Sequence, residues 1–340
     1  MKDSKIFRGV YDRRDFIKYS AMLTASLMTP SLNFGKTDKW SNVLPTRKLG
    51  KTNIDATLFT MGTGSSGVDY DKAKTVIDVA IENGCRFIDT ARAYGRGERE
   101  KQLGPILEPY RKEIILLSKT YAQNTEELNK DLESSLEALK TDYLDIYLLH
   151  AIKSAEDVDN RLNGGVLEAM LEAREKGLIK HIGFSGHYDP VANNYFLNKN
   201  LPEIEVMMCP VNPVDPLRES FVVNVLPNAV EKNVGVIGMK IFGGGGLTGQ
   251  PIRWGGKRGE EREPVIPELL SIKDALYYAW SLPVGTTTLG CSSVEEVKVD
   301  IAHLHEFAGM SESKRKSLTE NLKDIAERNN LEHYKMPKKS

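Results

Sequence analysis

The sequence has few cysteines and no excess of charge of either sign. Among its 340 residues there are three cysteines, Cys85, Cys209 and Cys291, and 46 basic residues stand against 47 acidic ones, for a net charge of −1. An odd number of widely spaced cysteines argues against a disulfide framework and forms no metal-type cluster, so we interpret each as a small buried hydrophobe. The balanced charge argues against nucleic acid or a membrane surface as the main partner.

The N-terminal region lacks an apolar run long enough to span a bilayer. Its apolar stretch, within residues 11–36, extends over about a dozen residues, whereas a spanning helix needs about 20. The region instead contains the pair Arg13 and Arg14, followed after one residue by Phe16. This pair, the aromatic residue and the aliphatic and lysine residues behind it resemble a twin-arginine export signal.

This resemblance implies a route that exports proteins already folded, often with a cofactor inside. We therefore expect the twin-arginine export machinery as a partner, cofactor uptake in the cytoplasm and a periplasmic destination. The protein would stay cytoplasmic if the signal is not functional, and no clean A-x-A site marks where it would be cleaved. The alternative interpretation is a frayed amphipathic N-terminal helix. We assign residues 1–40 to the signal and its linker.

From residue 45 onward, strand-like and helix-like segments alternate in one rhythm. The predicted strands are ATLFT, RFID, EIILLS, YLDIYLLH, IKHIGFS, EVMMCPVN, GVIGMKI and GTTTL. Eight strand–helix repeats over about 250 residues predict an α/β fold, a (β/α)8 TIM barrel that forms a single domain over residues 45–308. Thr125 is the predicted N-cap of the helix after the third strand, and one helix is predicted across Pro227.

Residues 62–67 read GTGSSG and have the G-x-G-x-x-G spacing of a dinucleotide-binding turn. Asp89 ends the next apolar run, where such a fold would hold a ribose. However, a Rossmann fold has about six strands and usually a second domain. Asp69 is a better N-cap than any residue of the loop, so the helix starts too late to point its N-terminus at a phosphate. We therefore favour the barrel.

Four side chains with complementary chemistry follow three consecutive strands. Asp89 ends the second strand, and Tyr94 lies in the loop behind it. Lys119 ends the third strand and His150 ends the fourth. In a barrel the carboxyl ends of the strands carry the active site. Each residue alone has an ordinary explanation in packing or solvation, but the four together are typical of a proton donor for carbonyl reduction.

In this hypothesis Tyr94 is the general acid. A phenol is a poor acid at neutral pH, and the ammonium of Lys119 is expected to lower its pKa by stabilising the phenolate. Asp89 would hold Lys119 charged and in place. His150 would hydrogen-bond the carbonyl oxygen and orient it for hydride attack.

Six segments resemble the aldo-keto reductase family. They are residues 47–64, 85–98, 115–120, 142–150, 177–187 and 289–301. The resemblance implies an N-terminal hairpin before the first strand, NAD(P)H as the hydride source, and the four residues named above as the catalytic tetrad. It also implies a cofactor extended across the barrel mouth, with residues 62–67 beside the nicotinamide.

The same resemblance implies a set of cofactor-binding residues around the barrel mouth. They are Gly62, Thr63, Ser185, Met208, Met239, Lys240, Gly243, Gly290, Ser292, Ser293, Glu296 and Asp300. The pyrophosphate is expected near the loops after strands seven and eight. Residues 240–250 contain four successive glycines, which let backbone amides approach a phosphate without Cβ clashes. The alternative interpretation of this run is a flexible connection.

Several positions depart from the family pattern. The usual Ser-Asn pair after strand five is here Ser185 and Gly186, and Met208 and Met239 replace the usual Gln and the Tyr that stacks on the nicotinamide. The loop that usually grips the 2′-phosphate with Arg or Lys carries serine hydroxyls and is followed by acidic residues. We expect NADP or NAD as cofactor, with NADPH favoured by a narrow margin because Lys240 could supply some of the missing charge.

The remaining segments are a polar insert and a C-terminal extension. Residues 251–267 are long for a βα loop and are predicted to form a cofactor-covering or substrate-facing lid, in which Trp254 either walls the substrate pocket or packs on the barrel rim. Residues 309–340 are predicted to form a charged amphipathic helix and a basic tail outside the barrel. Because no aromatic-rich flap follows, we expect an open substrate pocket.

Together these features predict an exported NAD(P)H-dependent oxidoreductase that transfers hydride between the nicotinamide and a small aldehyde, ketone or alcohol, with Tyr94 as general acid and base. The alternative is a cofactor-holding redox sensor or regulatory binding protein with little turnover, because the nicotinamide contacts are altered. A metal-dependent hydrolase on the same barrel is less favoured, since the strand ends carry no cluster of metal ligands.

Overall fold

A computed structural model of the chain describes residues 31–64, 69–247, 269–328 and 331–335. The strands in these residues are β1 (Thr46–Lys48), β2 (Asp55–Thr57), β3 (Phe59–Gly62), β4 (Phe87–Asp89), β5 (Ile115–Thr120), β6 (Leu144–Leu149), β7 (Ile179–Ser185), β8 (Ile204–Pro210), β9 (Gly235–Met239) and β10 (Thr286–Gly290). The last eight pair in parallel, each with the next, and β10 returns to β3 to close a barrel. The predicted (β/α)8 barrel is confirmed.

Helices cover the outside of the barrel. They are α1 (Tyr70–Glu82), α2 (Glu98–Leu107), α3 (Thr125–Leu139), α4 (Ala155–Asn163), α5 (Val166–Glu175), α6 (Pro190–Leu197), α7 (Phe221–Asn224), α8 (Leu226–Glu231), α9 (Ile272–Trp280), α10 (Val294–His305), α11 (Glu312–Asn321) and α12 (Lys323–Arg328). In α1 the buried positions recur at intervals of three and four residues, from Ala73 to Ile81. This spacing gives a helix one apolar face that packs on the strands. None of the helices described is long and apolar enough to cross a membrane.

One predicted helix boundary is confirmed, and two other helix predictions differ from the structure. Asp69 caps α1 as predicted, because its side chain accepts a hydrogen bond from the N–H of Lys72 at 2.8 Å. The N-cap of α3 is Asn124 rather than Thr125, and it accepts from the N–H of Glu127 at 2.9 Å. The single helix predicted across Pro227 is wrong: the run divides into α7 and α8, because a proline has no N–H and fits the first turn of a new helix.

The N-terminal hairpin closes the barrel end opposite the carboxyl ends of the strands. Strands β1 and β2 pair antiparallel, and Leu49 between them is fully buried. Gly235 and Gly285 make room for it, since a Cβ on either glycine would lie 2.7 Å from a Leu49 side-chain carbon. The barrel interior is then filled by Leu49, Ala56, Phe87, Leu117, Ile146, Leu148, Val206, Met208 and Ile237. A ligand therefore has access at the carboxyl ends of the strands.

The segment before the hairpin contacts the barrel. Asn33 pairs with Thr46 in an isolated β-bridge, and the ring of Trp40 lies edge-on to that of Tyr110 with centroids 4.6 Å apart. Part of the stretch that we assigned to the signal and linker, residues 33–40, is therefore folded onto the domain. Residues 1–30, which carry the twin-arginine pair, lie outside the described residues, so the export signal stays a prediction.

The C-terminal residues pack against the barrel mouth through a buried polar network. The ammonium of Lys335 lies 2.8 Å from Asp215 Oδ1 and 2.6 Å from Glu332 Oε2, and the side chains of Lys335 and Asp215 are 0% exposed. Tyr334 donates to Glu332 at 2.6 Å, and its ring lies 5.8 Å from Lys240 Nζ. The expectation of a tail outside the barrel is therefore wrong for residues 331–335, which reach the mouth. The sequence of the tail did not show this, because Lys335 pairs with Asp215 of the distant loop after β8.

Candidate active site

An ion pair lies at the carboxyl ends of β4 and β5. Asp89 is the last residue of β4, and Lys119 is the fifth residue of β5. Both are buried, and Lys119 Nζ contacts Asp89 Oδ1 directly while donating to the carbonyl of Thr90 at 2.7 Å. Two of the donors of the ammonium are thus held by fixed acceptors, which orients the third.

Tyr94 approaches the same ammonium from the loop after β4. The loop ends in a tight turn over Tyr94–Gly97, in which Gly97 has φ of +94° and a Cβ would lie 1.5 Å from Arg92 Nη1. This turn returns the phenol over the strand ends, with its Oη 3.4 Å from Lys119 Nζ. The structure therefore brings Tyr94 to the ion pair, although the sequence placed it only in the loop.

His150 faces Tyr94 from the end of β6. Its backbone N–H donates to the carbonyl of Thr120 at 2.7 Å, and its ring stacks on that of Tyr121 with centroids 4.4 Å apart. The rings of His150 and Tyr94 lie 6.0 Å apart, edge to face. Burial, assisted by the nearby charge of Lys119, holds the pKa of His150 well below its usual range. The imidazole is therefore neutral at physiological pH, and a neutral imidazole donates one hydrogen bond.

Burial and the charges of neighbouring groups together set the pKa values of these four residues, called the tetrad below. Burial raises the pKa of Tyr94, and Lys119 opposes the shift only in part. Burial also acts to lower the pKa of Lys119, but Asp89 and Tyr94 offset it and the net shift is upward. The expected lowering of the Tyr94 pKa is therefore right for the interaction with Lys119 and wrong for the net direction. The phenol is protonated and the amine charged at neutral pH.

The tetrad lines part of a cavity of about 420 Å³. The lining residues come from the strand ends and from the loops after β9 and β10. They are Gly62, Gly64, Asp89, Tyr94, Lys119, His150, Ser185, His187, Met208, Met239, Lys240, Ile241, Phe242, Gly244, Gly245, Ile272, Thr288, Leu289, Gly290, Cys291, Ser292, Glu295, Glu296, Val299 and Asp300. The volume is in the range of sites for small molecules and cofactors.

Three of the predicted cofactor residues do not line this cavity. Thr63 donates its hydroxyl to the carbonyl of Asp89 at 2.9 Å and supports the tetrad from behind. Gly243 forms a turn with φ of +60°, and the next two glycines of the run face the cavity in its place. Ser293 caps α10 by accepting from the N–H of Glu296. The other predicted cofactor residues line the cavity, and Trp254 lies outside the described residues.

The glycine that replaces the usual asparagine after β7 has a local cause. A Cβ on Gly186 would lie 1.9 Å from Oδ1 of Asn193, a buried residue of α6. Ser185 is kept, lines the cavity and accepts from the N–H of Ala151 at 2.9 Å. The space that a side chain at 186 would need is thus filled by another amide.

Lys240 lines the cavity near the tetrad. It follows β9 in a left-handed conformation, with φ of +57°. Burial lowers its pKa to about 8, and the charge of Lys119 acts in the same direction. Its own charge lowers the pKa of His150 and of His187. These mutual effects show that Lys240 lies near the tetrad, and its role at a 2′-phosphate stays a prediction.

Glu295, Glu296 and Asp300 of α10 also line the cavity. Ser292 donates its N–H and its hydroxyl to Glu296, at 2.5 and 3.1 Å. Asp300 is buried beside the thiol of Cys291, and burial, with the nearby Glu296, raises its pKa to about 7. These three carboxyl groups therefore face the cavity, and Asp300 is only partly ionised at neutral pH.

Several lining residues were not among the predictions. His187 follows β7 by two residues, and the rule that carboxyl ends of strands carry the site would have found it. Tyr121 directly follows β5 and stacks on His150, although it is not itself a lining residue. Phe242 follows β9 by three residues and would have been found by the same rule, whereas Ile272 and Val299 carry no such signal, because their helices are brought to the cavity only by tertiary folding.

The sequence profile described as the aldo/keto reductase family matches residues 58–336. The chain belongs to the aldo/keto reductase family. The matched stretch contains the whole barrel, all four tetrad residues and the C-terminal segment at the barrel mouth. This aldo/keto reductase is therefore an oxidoreductase of that family, and the resemblance read from the sequence is confirmed.

Individual relatives agree with this assignment. The uncharacterized oxidoreductase YqkF of Bacillus subtilis (strain 168) is 26% identical over 285 residues, which cover 75% of this chain and 89% of that protein. Aldo-keto reductase AKR11C1 from Bacillus halodurans, in its holo form, superimposes with a TM-score of 0.67 at 24% identity, covering 81% of this chain and 95% of that one. An aldo/keto reductase from Klebsiella pneumoniae, in complex with NADP and acetate, gives 0.64 at 20% identity, with 83% and 96% covered. The two structures show that the barrel fold is shared.

Proposed function

We propose that this aldo/keto reductase catalyses NAD(P)H-dependent hydride transfer between the nicotinamide and a small aldehyde, ketone or alcohol, with Tyr94 as general acid and base. The observation that carries the proposal is the approach of Tyr94 Oη to within 3.4 Å of Lys119 Nζ, which is paired with Asp89. A phenol, an ammonium and a carboxylate are thereby brought together, and all three residues line the cavity.

The lining residues fit a nicotinamide cofactor. The Ser185 hydroxyl can bond a carboxamide, and the thioethers of Met208 and Met239 offer polarizable surfaces for a ring face. Gly244 and Gly245 line the cavity in left-handed conformations that bring the backbone close to a ligand. The Klebsiella pneumoniae relative is solved in complex with NADP, which supports a nicotinamide cofactor for this chain as well. When bound, the cofactor supplies or accepts the hydride.

The residues of the chain donate and accept the proton that accompanies hydride transfer. In the direction of reduction Tyr94 donates its proton to the carbonyl oxygen, and in the reverse direction its phenolate removes the proton from the alcohol. Lys119 stabilises the phenolate, and Asp89 keeps Lys119 charged and oriented. The upward pKa shift of Tyr94 keeps the phenol protonated before the reaction, which is the state that a proton donor requires.

His150 positions the reacting oxygen. A neutral imidazole donates a hydrogen bond to a carbonyl oxygen without competing with Tyr94 for the role of acid. Its ring is fixed by stacking on Tyr121 and by its backbone hydrogen bond to Thr120. Fixed orientation of this kind lowers the entropic part of the barrier, because the substrate is held close to the reactive geometry.

We also propose that the protein is exported folded to the periplasm by the twin-arginine machinery. The support is the Arg13 and Arg14 motif in sequence, and a folded domain that extends back at least to Asn33. A redox sensor with little turnover is not favoured, because the family and the named relatives are oxidoreductases or reductases. An intact tetrad also has no role in a pure sensor.

Tyr94→Phe tests the proposed role of the phenol. The variant should lose carbonyl reduction by about 100-fold or more, which is the usual contribution of general acid catalysis. Its affinity for the nicotinamide nucleotide should be nearly unchanged, since the ring remains. Tyr195→Phe is the matched control, because that hydroxyl bonds Asp159 at 2.7 Å on α4, away from the cavity. Unchanged turnover of Tyr94→Phe on a panel of simple aldehydes would refute the mechanism.

A further inference from the structure

The glycine run after β9, residues 243–246, contacts both the cavity and the C-terminal segment, residues 331–335. The two middle glycines of the run line the cavity. A Cβ on Gly246 would lie 2.4 Å from the carbonyl oxygen of Leu331, so the backbone of the segment packs directly on the backbone of the run. A side chain at this glycine would displace the segment.

The glycine run cannot hold its own conformation. Gly243, Gly244 and Gly245 have φ of +60°, +69° and +99°, and glycine adopts such left-handed conformations as one choice among many. A run that became ordered only when a ligand arrived would weaken binding, because each ordered residue loses conformational entropy. A contact that fixes the run beforehand therefore strengthens binding.

The C-terminal segment is anchored to the loop after β8 by buried polar contacts. Lys335 Nζ lies 2.8 Å from Asp215 Oδ1, and both side chains are fully buried. Asn212 Nδ2 lies 3.0 Å from Glu332 Oε1 and 3.0 Å from Tyr334 Oη. Separating buried, partnered polar groups is costly. The segment therefore has a fixed place beside the glycine run.

We propose that the C-terminal segment positions the cofactor loop: it holds the glycine run in the conformation that binds the nicotinamide nucleotide. This inference rests on the proposed function, because that function places the nucleotide in the cavity that the run lines. A site whose binding-competent conformation is populated for a fraction of the time has its affinity reduced by that fraction. Displacing the segment should thus weaken nucleotide binding, although none of residues 331–335 lines the cavity.

Gly246→Ala displaces the segment without changing a residue that lines the cavity. Gly246 has φ of −64° and ψ of −25°, which alanine adopts without strain. The added methyl group would meet the Leu331 carbonyl oxygen and push the segment away. In fluorescence titrations of the full chain, stripped of copurified nucleotide, we expect the dissociation constants for NADPH and for NADH to rise by about tenfold.

Gly104→Ala is the matched control. A Cβ on Gly104 would lie 2.3 Å from the carbonyl oxygen of Ala138, so the variant creates the same kind of clash with a backbone oxygen, here between α2 and α3. Gly104 does not line the cavity. The control should lower the overall stability and leave both dissociation constants unchanged, when both variants are titrated at a temperature at which circular dichroism shows them folded.

Hydrogen exchange of the parent chain tests the same coupling without a substitution. Linkage is reciprocal: if the segment strengthens nucleotide binding, the bound nucleotide stabilises the segment by the same factor. Saturation with NADPH or NADH, whichever binds more tightly, should slow amide exchange in residues 331–335 by about tenfold. Strands β1 and β2 lie at the opposite end of the barrel and report general stabilisation, so their exchange should slow less.

The outcomes separate the inference from the proposed function. Unchanged nucleotide affinity in folded Gly246→Ala would overturn the inference. Equal losses of affinity in Gly246→Ala and Gly104→Ala would overturn it too, because general destabilisation would then be the cause. Exchange in residues 331–335 that slows no more than that of β1 and β2 would have the same meaning. A parent chain that binds neither nucleotide would refute the proposed function, and the inference with it.

Discussion

Asp38 ties the segment before the hairpin to the barrel, and its replacement by asparagine is expected to destabilise the protein. Arg86 donates to both carboxylate oxygens of Asp38, at 2.6 and 2.7 Å. The backbone N–H groups of Trp40 and Ser41 donate to the same carboxylate. Asparagine keeps the shape of the side chain but removes the charge that these donors stabilise.

The lowered pKa of Asp38 gives the size of the expected loss of stability. Hydrogen bonds from Arg86, opposed by partial burial, lower it from 3.8 to about 2. The side chains of Asp38 and Arg86 are 23% and 5% exposed, so solvent screens part of their interaction. With that discount, the lowered pKa of Asp38 corresponds to about 2 kcal/mol of stability in the ionised state.

The pH dependence has a definite sign. A carboxyl whose pKa is lower in the folded state stabilises the fold fully above its unfolded pKa, and the stabilisation is lost as the pH falls through the folded pKa. For Asp38 the window therefore runs from about pH 4 down to about pH 2. About half of the stabilisation should remain at pH 3, from the same two pKa values.

The assay is urea unfolding of the parent chain and of Asp38→Asn at pH 7, 5, 4 and 3. The difference in unfolding free energy should be about 2 kcal/mol at pH 7 and about 1 kcal/mol at pH 3. Asp55→Asn is the control, since Asp55 pairs with Lys48 on the surface and should have little effect at any pH. A difference that is absent at pH 7, or that does not shrink on acidification, would refute the reasoning.

Two further predictions concern the ends of the chain. Lys335→Met should lower the free energy of unfolding in urea by about 3 to 5 kcal/mol, because it leaves Asp215 and Glu332 buried without their cation. The control Lys323→Met breaks an exposed ion pair and should lower it little. Equal effects of the two variants would contradict the role of the buried network. Replacing Arg13 and Arg14 together by lysine keeps the charge of the proposed signal but removes its arginine pair, so the periplasmic fraction measured by cell fractionation should fall sharply; an unchanged fraction would rule out twin-arginine export.

Local chemistry explains why much of the fold was predictable. The alternation of strands and helices needs only hydrophobic periodicity and caps, such as Asp69 before α1, and both act within a few residues of sequence. The predicted N-cap of α3 was one residue too late, and the division of one predicted helix near Pro227 was not predicted. Asn124 and Thr125 could both cap α3, but the hydroxyl of Thr125 donates to the carbonyl of Gly165 at 3.0 Å. The division at Pro227 follows from the missing N–H of the proline.

The sequence by itself determined that Asp89, Lys119 and His150 converge, because the carboxyl ends of consecutive parallel strands meet at one rim of a barrel. Only the tertiary structure decided that the pKa of Tyr94 is raised rather than lowered. It also decided that Asn193 fills the space beside Gly186 and that residues 331–335 reach the barrel mouth. Burial and steric exclusion depend on atoms that are distant in the chain. The sequence states which groups are present, and packing decides which of them share a volume from which water is excluded.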